Sequence, residues 1–289
     1  MFGILTLASP FFSEETLKHI KNIPGKTWRA AIPKNFAHLT RDEMKAKLMP
    51  APQLPKTMEF ATSEPNTAIP DAFDFRTAFP KCVGEIRDQQ KCGSCWAFSA
   101  VGAFSDRRCT AGLDAERVQY SEEYVVACDT HDKGCQGGSI LYVHMFLKKT
   151  GTPTLKCTSY KSGDGNTKSC PTKCDDGSDI TLTKTKSYRI IELNTTLMME
   201  EIQKGPIQGQ FFVYEDFTYY EGGIYQHEYG EMLGGHAIIT MGWGEENGVP
   251  YWIIRNSWGP EWGEHGYFRI IRGTNECIIE TAAACVEVK

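Results

Sequence analysis

Residues 89–96 read Gln-Gln-Lys-Cys-Gly-Ser-Cys-Trp, and this stretch decides how the rest of the chain is interpreted. Gly93 and Ser94 permit a tight turn, and the apolar residues that follow predict a buried helix over residues 95–108. A cysteine attacks as its thiolate, so a reactive cysteine needs a lowered pKa. The backbone dipoles at a helix N-terminus favour negative charge, which makes Cys95 a candidate nucleophile.

Partners for this thiol are found far downstream. Among seven histidines, only His236 lies in a Gly-Gly-His-Ala run (residues 234–237), about 140 residues after Cys95. Asn256 follows in Asn-Ser-Trp-Gly, and its side-chain carbonyl can orient an imidazole by accepting the second ring N–H. The order Cys, His, Asn predicts nucleophilic catalysis at a carbonyl group.

These residues resemble the papain family of cysteine peptidases, whose Cys-Gly-Ser/Ala-Cys-Trp/Tyr signature is matched at residues 92–96. The resemblance implies that Cys95 is the nucleophile, His236 its base and Asn256 the orienting residue. It implies that Gln89 donates its side-chain amide to the oxyanion, beside the Cys95 backbone N–H. Trp258 would shield the His236–Asn256 hydrogen bond from water.

The expected fold is α+β, a papain-like fold of two subdomains with an N-terminal prosegment. Helix-compatible runs lead the body, and short β-rich runs follow after about residue 180. Besides residues 95–108, the expected helices and strands are helices 122–127 and 140–148 and strands 208–213, 237–243, 251–256 and 267–271. The resemblance places the active site between a helical subdomain and a β-barrel-like one.

Three segments divide the chain. Residues 1–10 are apolar and are expected to be either a signal sequence or an N-terminal arm. Residues 11–69 begin with a helix start, in which Ser13 is the expected N-cap, and end in a proline-punctuated extended stretch open to proteolysis. The resemblance implies that 11–69 is an inhibitory propeptide, released by acid and cut near Ile69 or Pro70, and that 70–289 is the peptidase domain.

Other stretches resemble the cathepsin B-like branch of this family. They are residues 27–30 of the prosegment, 71–76 at the mature start, and 225–227, 242–244 and 247–252. Cathepsin B carries an occluding loop with two histidines that bind the C-terminal carboxylate of the substrate. Here only residues 158–169 separate Cys157 from Cys170, and they contain no histidine, so we expect the occluding loop to be deleted. We therefore expect an endopeptidase with little dipeptidyl carboxypeptidase activity.

The resemblance also implies where a peptide substrate binds. The backbone of Gly137 and Gly138 would pair with an extended peptide. Ala282 stands where cathepsin B has the glutamate that accepts arginine in the S2 pocket, so an apolar preference is expected. The full expected substrate-binding set is Gly137, Gly138, Ile140, Gln210, Gly235, Ala237, Trp258 and Ala282.

The chain has eleven cysteines, an odd number that fits an even set of disulfide-bonded cysteines and one reactive thiol. Disulfides require an oxidising compartment, so the protein is expected in a lysosome-like or vacuolar vesicle or in the secreted medium. Zinc held by the close pairs Cys92/Cys95 and Cys170/Cys174 is the alternative. The resemblance implies disulfides Cys82–Cys109, Cys92–Cys135, Cys128–Cys170 and Cys157–Cys174. Cys277 and Cys285 remain, and we expect them to pair with each other.

Composition excludes some functions. The chain is 41% hydrophobic and 23% charged, with a formal charge of −5 and no apolar run long enough to span a bilayer, so neither nucleic-acid binding nor a membrane span is expected. No cofactor or metal is predicted. The expected partners are the propeptide and protein or peptide substrates, and the protein is expected to be a monomer.

The alternative function is a catalytically inactive binding scaffold. Asn194-Thr195-Thr196 is a candidate glycosylation sequon.

Overall fold

The structure, a computed structural model, describes residues 10–52 and 68–288. The expected arm over 1–10 therefore lies almost wholly outside the described residues, as does most of the proline-punctuated stretch. The prosegment forms α1 (Glu14–Lys21), β1 (Trp28–Ala30) and α2 (Arg41–Ala46). Ser13 caps α1 as predicted, because its side chain accepts a hydrogen bond from the Thr16 N–H.

The first half of the body that follows the N-terminal segment is mainly helical, as predicted. After β2 (Phe73–Asp74) and the short α3 (Phe75–Ala78) come α4 (Cys95–Thr110), α5 (Glu122–Cys128) and α6 (Ile140–Lys149). Helix α4 is buried from Cys95 to Arg107, so apolar and small residues occur on every side of it. It forms the centre of this half, against which α5 and α6 pack.

The second half is built on a sheet. Its elements are β3 (Ser187–Glu192), α7 (Thr195–Lys204), β4 (Ile207–Tyr214), β5 (Tyr220–Tyr225), β6 (Met232–Glu246), β7 (Val249–Arg255), β8 (Tyr267–Ile271) and β9 (Ala282–Glu287). In the described residues, the strand order is β1-β5-β8-β7-β6-β4-β9-β3, and β2 pairs with β6. Prosegment strand β1 is thus an edge strand of this sheet. The predicted α+β architecture is confirmed.

Helix α7 was not predicted. It lies among strands, begins at the N-cap Asn194 and buries Met198 and Ile202. Asn194 uses its side-chain oxygen to accept the Leu197 N–H at 2.9 Å and is only 8% exposed. This cap, rather than an exposed sugar-acceptor position, is the role that the fold gives to the candidate sequon.

The four implied disulfides are present: Cys82–Cys109, Cys92–Cys135, Cys128–Cys170 and Cys157–Cys174. Because Cys92, Cys170 and Cys174 are held in these bonds, the zinc alternative is wrong. Within the described ranges, no helix is long and apolar enough to cross a membrane.

The expected Cys277–Cys285 pair is also wrong, since both residues are free. Cys277 lies in a turn and its thiol donates to Glu276 Oε1 at 3.2 Å. Cys285 lies inside β9, about 10 Å along the strand from Ala282. An extended strand therefore carries Cys285 away from the turn, whereas bridged cysteines need Cα atoms within about 7 Å.

Candidate active site

Cys95 is the first residue of α4 and is completely buried. Burial raises the pKa of its thiol to about 11, against the opposing effect of backbone N–H groups that include those of Ala237, Trp96 and Met49. Two of these three groups come from outside α4: Ala237 from β6, and Met49 from the prosegment. The thiol therefore lies where the helical half, the sheet and the prosegment meet.

The turn that presents Cys95 is fixed by residues 134–135, which lie between α5 and α6 in the same helical half. Cys92 is bonded to Cys135, and the Gly93 N–H donates to the Cys135 carbonyl at 2.9 Å. A Cβ atom at Gly93 would lie 2.6 Å from that carbonyl, so only glycine fits this close approach. The Trp96 indole N–H donates to the Gly134 carbonyl at 3.1 Å. These contacts hold the start of α4 against residues 134–135.

His236 lies in β6, between β4 and β7, and is completely buried. Its Nε2 is 2.7 Å from Oδ1 of Asn256, the residue that follows β7. Asn256 Oδ1 also accepts the Ser257 N–H at 2.8 Å, which fixes the carboxamide orientation. The Trp258 ring lies 4.8 Å from the His236 ring, centroid to centroid. Burial lowers the pKa of His236 to about 4, although Asn256 opposes the shift.

The remaining ring nitrogen, His236 Nδ1, is buried and has no hydrogen-bond partner among the described residues. Its neighbour in β6 is Ala237, which packs with Cys95 in one buried cluster. An imidazole whose Nε2 is occupied by Asn256 has only Nδ1 left for proton exchange. The arrangement thus combines a thiol, an oriented imidazole and backbone donors in one dry cluster.

Gln89 is also completely buried, and its carboxamide is held at both ends. Its Oε1 accepts the Ser257 hydroxyl at 2.7 Å. Its Nε2 donates to the Cys92 carbonyl at 2.8 Å and to the carbonyl of Lys47, a prosegment residue, at 2.7 Å. A side-chain amide donor therefore lies in the cleft and is engaged by a prosegment carbonyl oxygen.

Part of the predicted substrate-binding set lines one groove, which we call the cleft groove. Gly137, Gly138, Ile140 and Gln210 line it, together with Tyr142, His131 and the prosegment residues Met49, Pro50, Ala51 and Pro52. Gly137 has φ +109, a conformation that favours glycine. A Cβ atom at Gly138 would lie 2.5 Å from the Trp96 ring. Gly138 therefore packs directly against Trp96 of α4, whereas a Cβ atom at Gly137 would lie 2.6 Å from Pro50 of the prosegment.

The other predicted residues lie elsewhere. Ala237 is buried beside Cys95 and pairs with Gln210 across β6 and β4. Trp258 is buried against His236. Gly235 pairs with Met49 through two backbone hydrogen bonds of 2.9 and 2.8 Å. Ala282 begins β9 opposite Glu192, but its side chain is outside what the structure describes, so its S2 role stays a prediction.

The prosegment follows the cleft from the Gln89 end to the groove. Phe36 packs its ring 5.8 Å from that of Trp258, and the Asn35 amide donates to the Trp258 carbonyl at 3.3 Å. Lys47 is only 4% exposed, and its ammonium group donates to the Gln90 carbonyl. Met49 then forms the antiparallel bridge with Gly235, next to His236. This path covers both Cys95 and His236.

Sequence reasoning missed four residues of the site. Ser257 orients both Asn256 and Gln89, and its position directly after Asn256 was the signal available for it. Tyr160 donates to the Gln89 carbonyl and lies 2.9 Å from the Ser94 hydroxyl. The contacts of Lys47 and Met49 had no sequence signal, since they depend on how the prosegment is docked.

Comparison with known proteins agrees with this geometry. Residues 69–287 match the family model described as Papain family cysteine protease. Cathepsin B-like CP2 of Giardia intestinalis is 48% identical over 98% of this chain and 96% of that protein. Cathepsin B-like cysteine proteinase 4 of Caenorhabditis elegans is 37% identical over 93% of this chain and 91% of that protein.

Solved structures give the same result for the whole chain. The structure of proCathepsin B S9 from Trypanosoma congolense superposes with a TM-score of 0.87 at 28% identity, over 97% of this chain and 100% of that one. The recombinant stem bromelain precursor, at 24% identity and a TM-score of 0.78, shares the fold. The chain therefore belongs to the papain family of cysteine proteases, among its cathepsin B-like members, and carries an N-terminal prosegment.

Proposed function

We propose that this cysteine protease is an endopeptidase made as a self-inhibited zymogen, with Cys95 as nucleophile and His236 as its acid–base partner. The observation that carries the proposal is the 2.7 Å contact between His236 Nε2 and Asn256 Oδ1. This contact leaves Nδ1 as the ring nitrogen available to the thiol at the start of α4. The inactive-scaffold alternative would require one of these groups to be missing or misplaced.

In the proposed reaction, the Cys95 sulfur attacks the scissile carbonyl carbon and its proton resides on His236 Nδ1. The oxyanion accepts hydrogen bonds from the Cys95 backbone N–H and Gln89 Nε2. His236 then gives its proton to the amine as the C–N bond breaks, leaving a thioester on Cys95. Water, deprotonated by His236, attacks the thioester, and the C–S bond breaks to release the carboxylic acid product and the thiol.

The prosegment inhibits by occupying these same groups. The Lys47 carbonyl already accepts the Gln89 amide, and Met49 already pairs with the Gly235 backbone. A substrate cannot use either until the prosegment leaves. We propose 11–69 as the inhibitory segment and 70–289 as the mature domain, with cleavage near Ile69 or Pro70. In the zymogen, Pro70 accepts the Trp243 indole N–H at 3.0 Å.

The packing of residues 158–169 supports endopeptidase activity. Gly163 accepts the Lys91 N–H at 3.0 Å, and Tyr160 bonds to Gln89, so this segment packs beneath the loop that precedes Cys95. It contains no histidine that could bind a C-terminal carboxylate. The primed side of the cleft is then open to substrates that continue beyond the cut.

The S2 preference is proposed to be apolar. Ile140 and Gln210 line the cleft groove, and Ala282 would be the base of the pocket. Apolar contact area at this position favours Leu or Val over Arg in the substrate. The four disulfides support action in an oxidising compartment, either a vesicle or the secreted medium, with monomers acting on protein and peptide substrates.

The primary test uses a tagged epoxysuccinyl peptide that alkylates active thiolates of this family. Full chain and Cys95→Ser are incubated with it at pH 4.5 and pH 7. Labelling of a shortened form, in wild type alone and after acid treatment, is the expected result. If a form lacking the prosegment stays unlabelled, the scaffold interpretation replaces the enzyme.

A second measurement distinguishes an endopeptidase from a dipeptidyl carboxypeptidase. Mature enzyme is given one peptide as the free acid and as its C-terminal amide. An endopeptidase cleaves both at similar kcat/KM. A strong gain from the free carboxylate would overturn the endopeptidase assignment while leaving Cys95 and His236 as the catalytic pair.

A further inference from the structure

Helix α6 exposes an unusual apolar surface. Leu141, Tyr142 and Met145 are 41%, 43% and 43% exposed, although most large hydrophobic side chains of the chain are buried. At about 100° per residue, all three lie on one side of the helix, together with Lys148 and Lys149. Clustered exposed apolar side chains of this kind mark interaction surfaces more often than single ones do.

A second groove runs along this side of the helix, and we call it the α6 groove. Met145, Phe146, Lys148 and Lys149 line it from the helix, and Tyr188 and His131 line it from outside the helix. Met145 and Phe146 lie in the middle of the groove. Lys148 and Lys149 lie at the end of the groove that corresponds to the C-terminus of α6. The groove thus combines the apolar surfaces of Met145, Phe146 and Tyr188 with the hydroxyl groups of Thr130 and Thr150, and it is positively charged at the end that carries the lysines.

The α6 groove adjoins the cleft groove at His131. His131 lines both, and its ring lies 5.8 Å from that of Tyr142, which lines the cleft groove beside Gly137 and Gly138. The loop carrying His131 is fixed to the start of α6, because the Ser139 N–H donates to Asp132 Oδ1 at 2.8 Å. A peptide that leaves the cleft groove past His131 therefore enters the α6 groove.

We propose that the α6 groove is an exosite for the part of a protein substrate that lies N-terminal to the residues held in the cleft groove. This inference rests on the proposed peptidase function. The occupant is an extended polypeptide with apolar residues near the cleft and acidic residues farther out. The apolar residues bury Met145 and Phe146, and the acidic residues pair with Lys148 and Lys149.

The dimensions define the length of this segment. From Ile140, which lines the cleft groove, to Lys148 at its far end, α6 rises about 12 Å. An extended chain covers that distance in about four residues. Neither Lys148 nor Lys149 forms an ion pair within residues 10–52 and 68–288, so both ammonium groups are free to bind a carboxylate there.

The test compares three substrates that share one cleavable core peptide. One is the core alone, one carries a four-residue N-terminal extension of Asp-Glu-Leu-Phe, and one carries Gly-Ser-Gly-Ser. The enzyme is the mature protein as wild type, Met145→Ser and the double variant Lys148→Glu/Lys149→Glu. Leu113→Ser is the matched control, since Leu113 is similarly exposed (41%, against 43% for Met145), follows the C-terminal end of α4 and does not line the α6 groove.

Wild type is expected to cleave the substrate with the Asp-Glu-Leu-Phe extension with a kcat/KM about tenfold above that of the Gly-Ser substrate. The gain should come from a lower KM, with kcat unchanged. Both groove variants should lose this gain, Leu113→Ser should keep it, and added salt should reduce it. All four enzymes should cleave the core peptide equally. The charge-reversed variant should instead favour an extension with Lys-Lys in place of Asp-Glu.

Equal cleavage of both extended substrates by wild type would overturn the exosite while leaving the peptidase intact. Failure to cleave even the core peptide would instead overturn the proposed function. A second copy of the chain is the competing occupant. If sedimentation shows a dimer that Met145→Ser dissociates, the groove is a dimer interface and the exosite is rejected.

Discussion

The carbonyl oxygen of Lys47 accepts a hydrogen bond of 2.7 Å from the side-chain amide of Gln89. A prosegment backbone group thus lies where the proposed oxyanion would form, close to the thiol and beside the Met49–Gly235 bridge. Because a docked carbonyl and a developing oxyanion need the same donor, inhibition and catalysis exclude each other at Gln89.

Replacing Gln89 by Ala in the mature enzyme should lower kcat about 100-fold and change KM little, because the oxyanion exists only near the transition state. Steady-state kinetics with a fluorogenic peptide measures this. Gln90→Ala, at an exposed neighbour, is the control. Alkylation of Cys95 by iodoacetamide forms a C–S bond as iodide leaves and develops no oxyanion, so its rate should stay within a few-fold of wild type. A parallel fall in alkylation would show that Gln89 supports the fold of the site instead.

Asn256→Ala should lower kcat/KM about 100-fold, because His236 loses the acceptor that orients its ring. Asn256→Gln keeps the amide group but moves it, so its kcat/KM should lie between those of wild type and Asn256→Ala. The exposed Asn166→Ala serves as control. Activity close to wild type in Asn256→Ala would mean that Trp258 and the β6 backbone alone hold the imidazole.

Acid should release the prosegment through His236. Burial lowers the pKa of His236 to about 4 while the prosegment covers it, against an ordinary value of 6.5. The open state therefore binds a proton more readily, and docking weakens as the pH falls from 6.5 towards 4. Below about pH 4.5, protonation of Glu43 should weaken prosegment docking further. The Thr40 backbone N–H holds the pKa of Glu43 below its usual value, so the cap of α2 loosens when Glu43 is protonated.

The measurement is hydrogen exchange of residues 10–52 against pH in full-length Cys95→Ser, which cannot process itself. Protection should fall between pH 6.5 and 4. In Cys95→Ser/His236→Ala this part of the transition should disappear. An unchanged profile in the double variant would show that other groups drive release.

Phe36→Ala should weaken prosegment docking by about 3 kcal/mol, or roughly 100-fold, because a buried ring packed on Trp258 and under the Lys47 ammonium group is lost. The full-length variant should then be labelled by the epoxysuccinyl probe at neutral pH. Lys34→Ala, at an exposed prosegment position, should stay unlabelled. Equal labelling of both variants would indicate that the Phe36 contact does not hold the prosegment.

Thiol titration of the denatured, unreduced chain should find three free thiols, those of Cys95, Cys277 and Cys285. A Cys277–Cys285 bond would leave Cys95 as the single thiol. Cys277→Ser should reduce the number of free thiols by one. It should not lower the free energy of unfolding by the roughly 2–5 kcal/mol that is typical of a lost disulfide. A count of one in wild type would overturn the free state of both residues.

Much of the architecture was predictable because its signals are local. The short β-rich runs predicted β4, β7 and β8 nearly to their ends, and the apolar run after Cys95 predicted α4. Helix α7 was missed because the sequence after about residue 180 is strand-like. The Cys277–Cys285 pair failed because counting thiols says nothing about distance.

The sequence by itself determined which groups the site contains: Cys95 at a helix start, His236 after two glycines, Asn256 and Gln89. Motif chemistry is carried by residue type and order, and both are visible in one dimension. The tertiary structure alone decided that Ser257 orients both Asn256 and Gln89, that the Lys47 carbonyl engages Gln89, and that the α6 groove adjoins the cleft groove at His131. Those contacts join residues far apart in the chain, so they depend on how the sheet, the helices and the prosegment pack together.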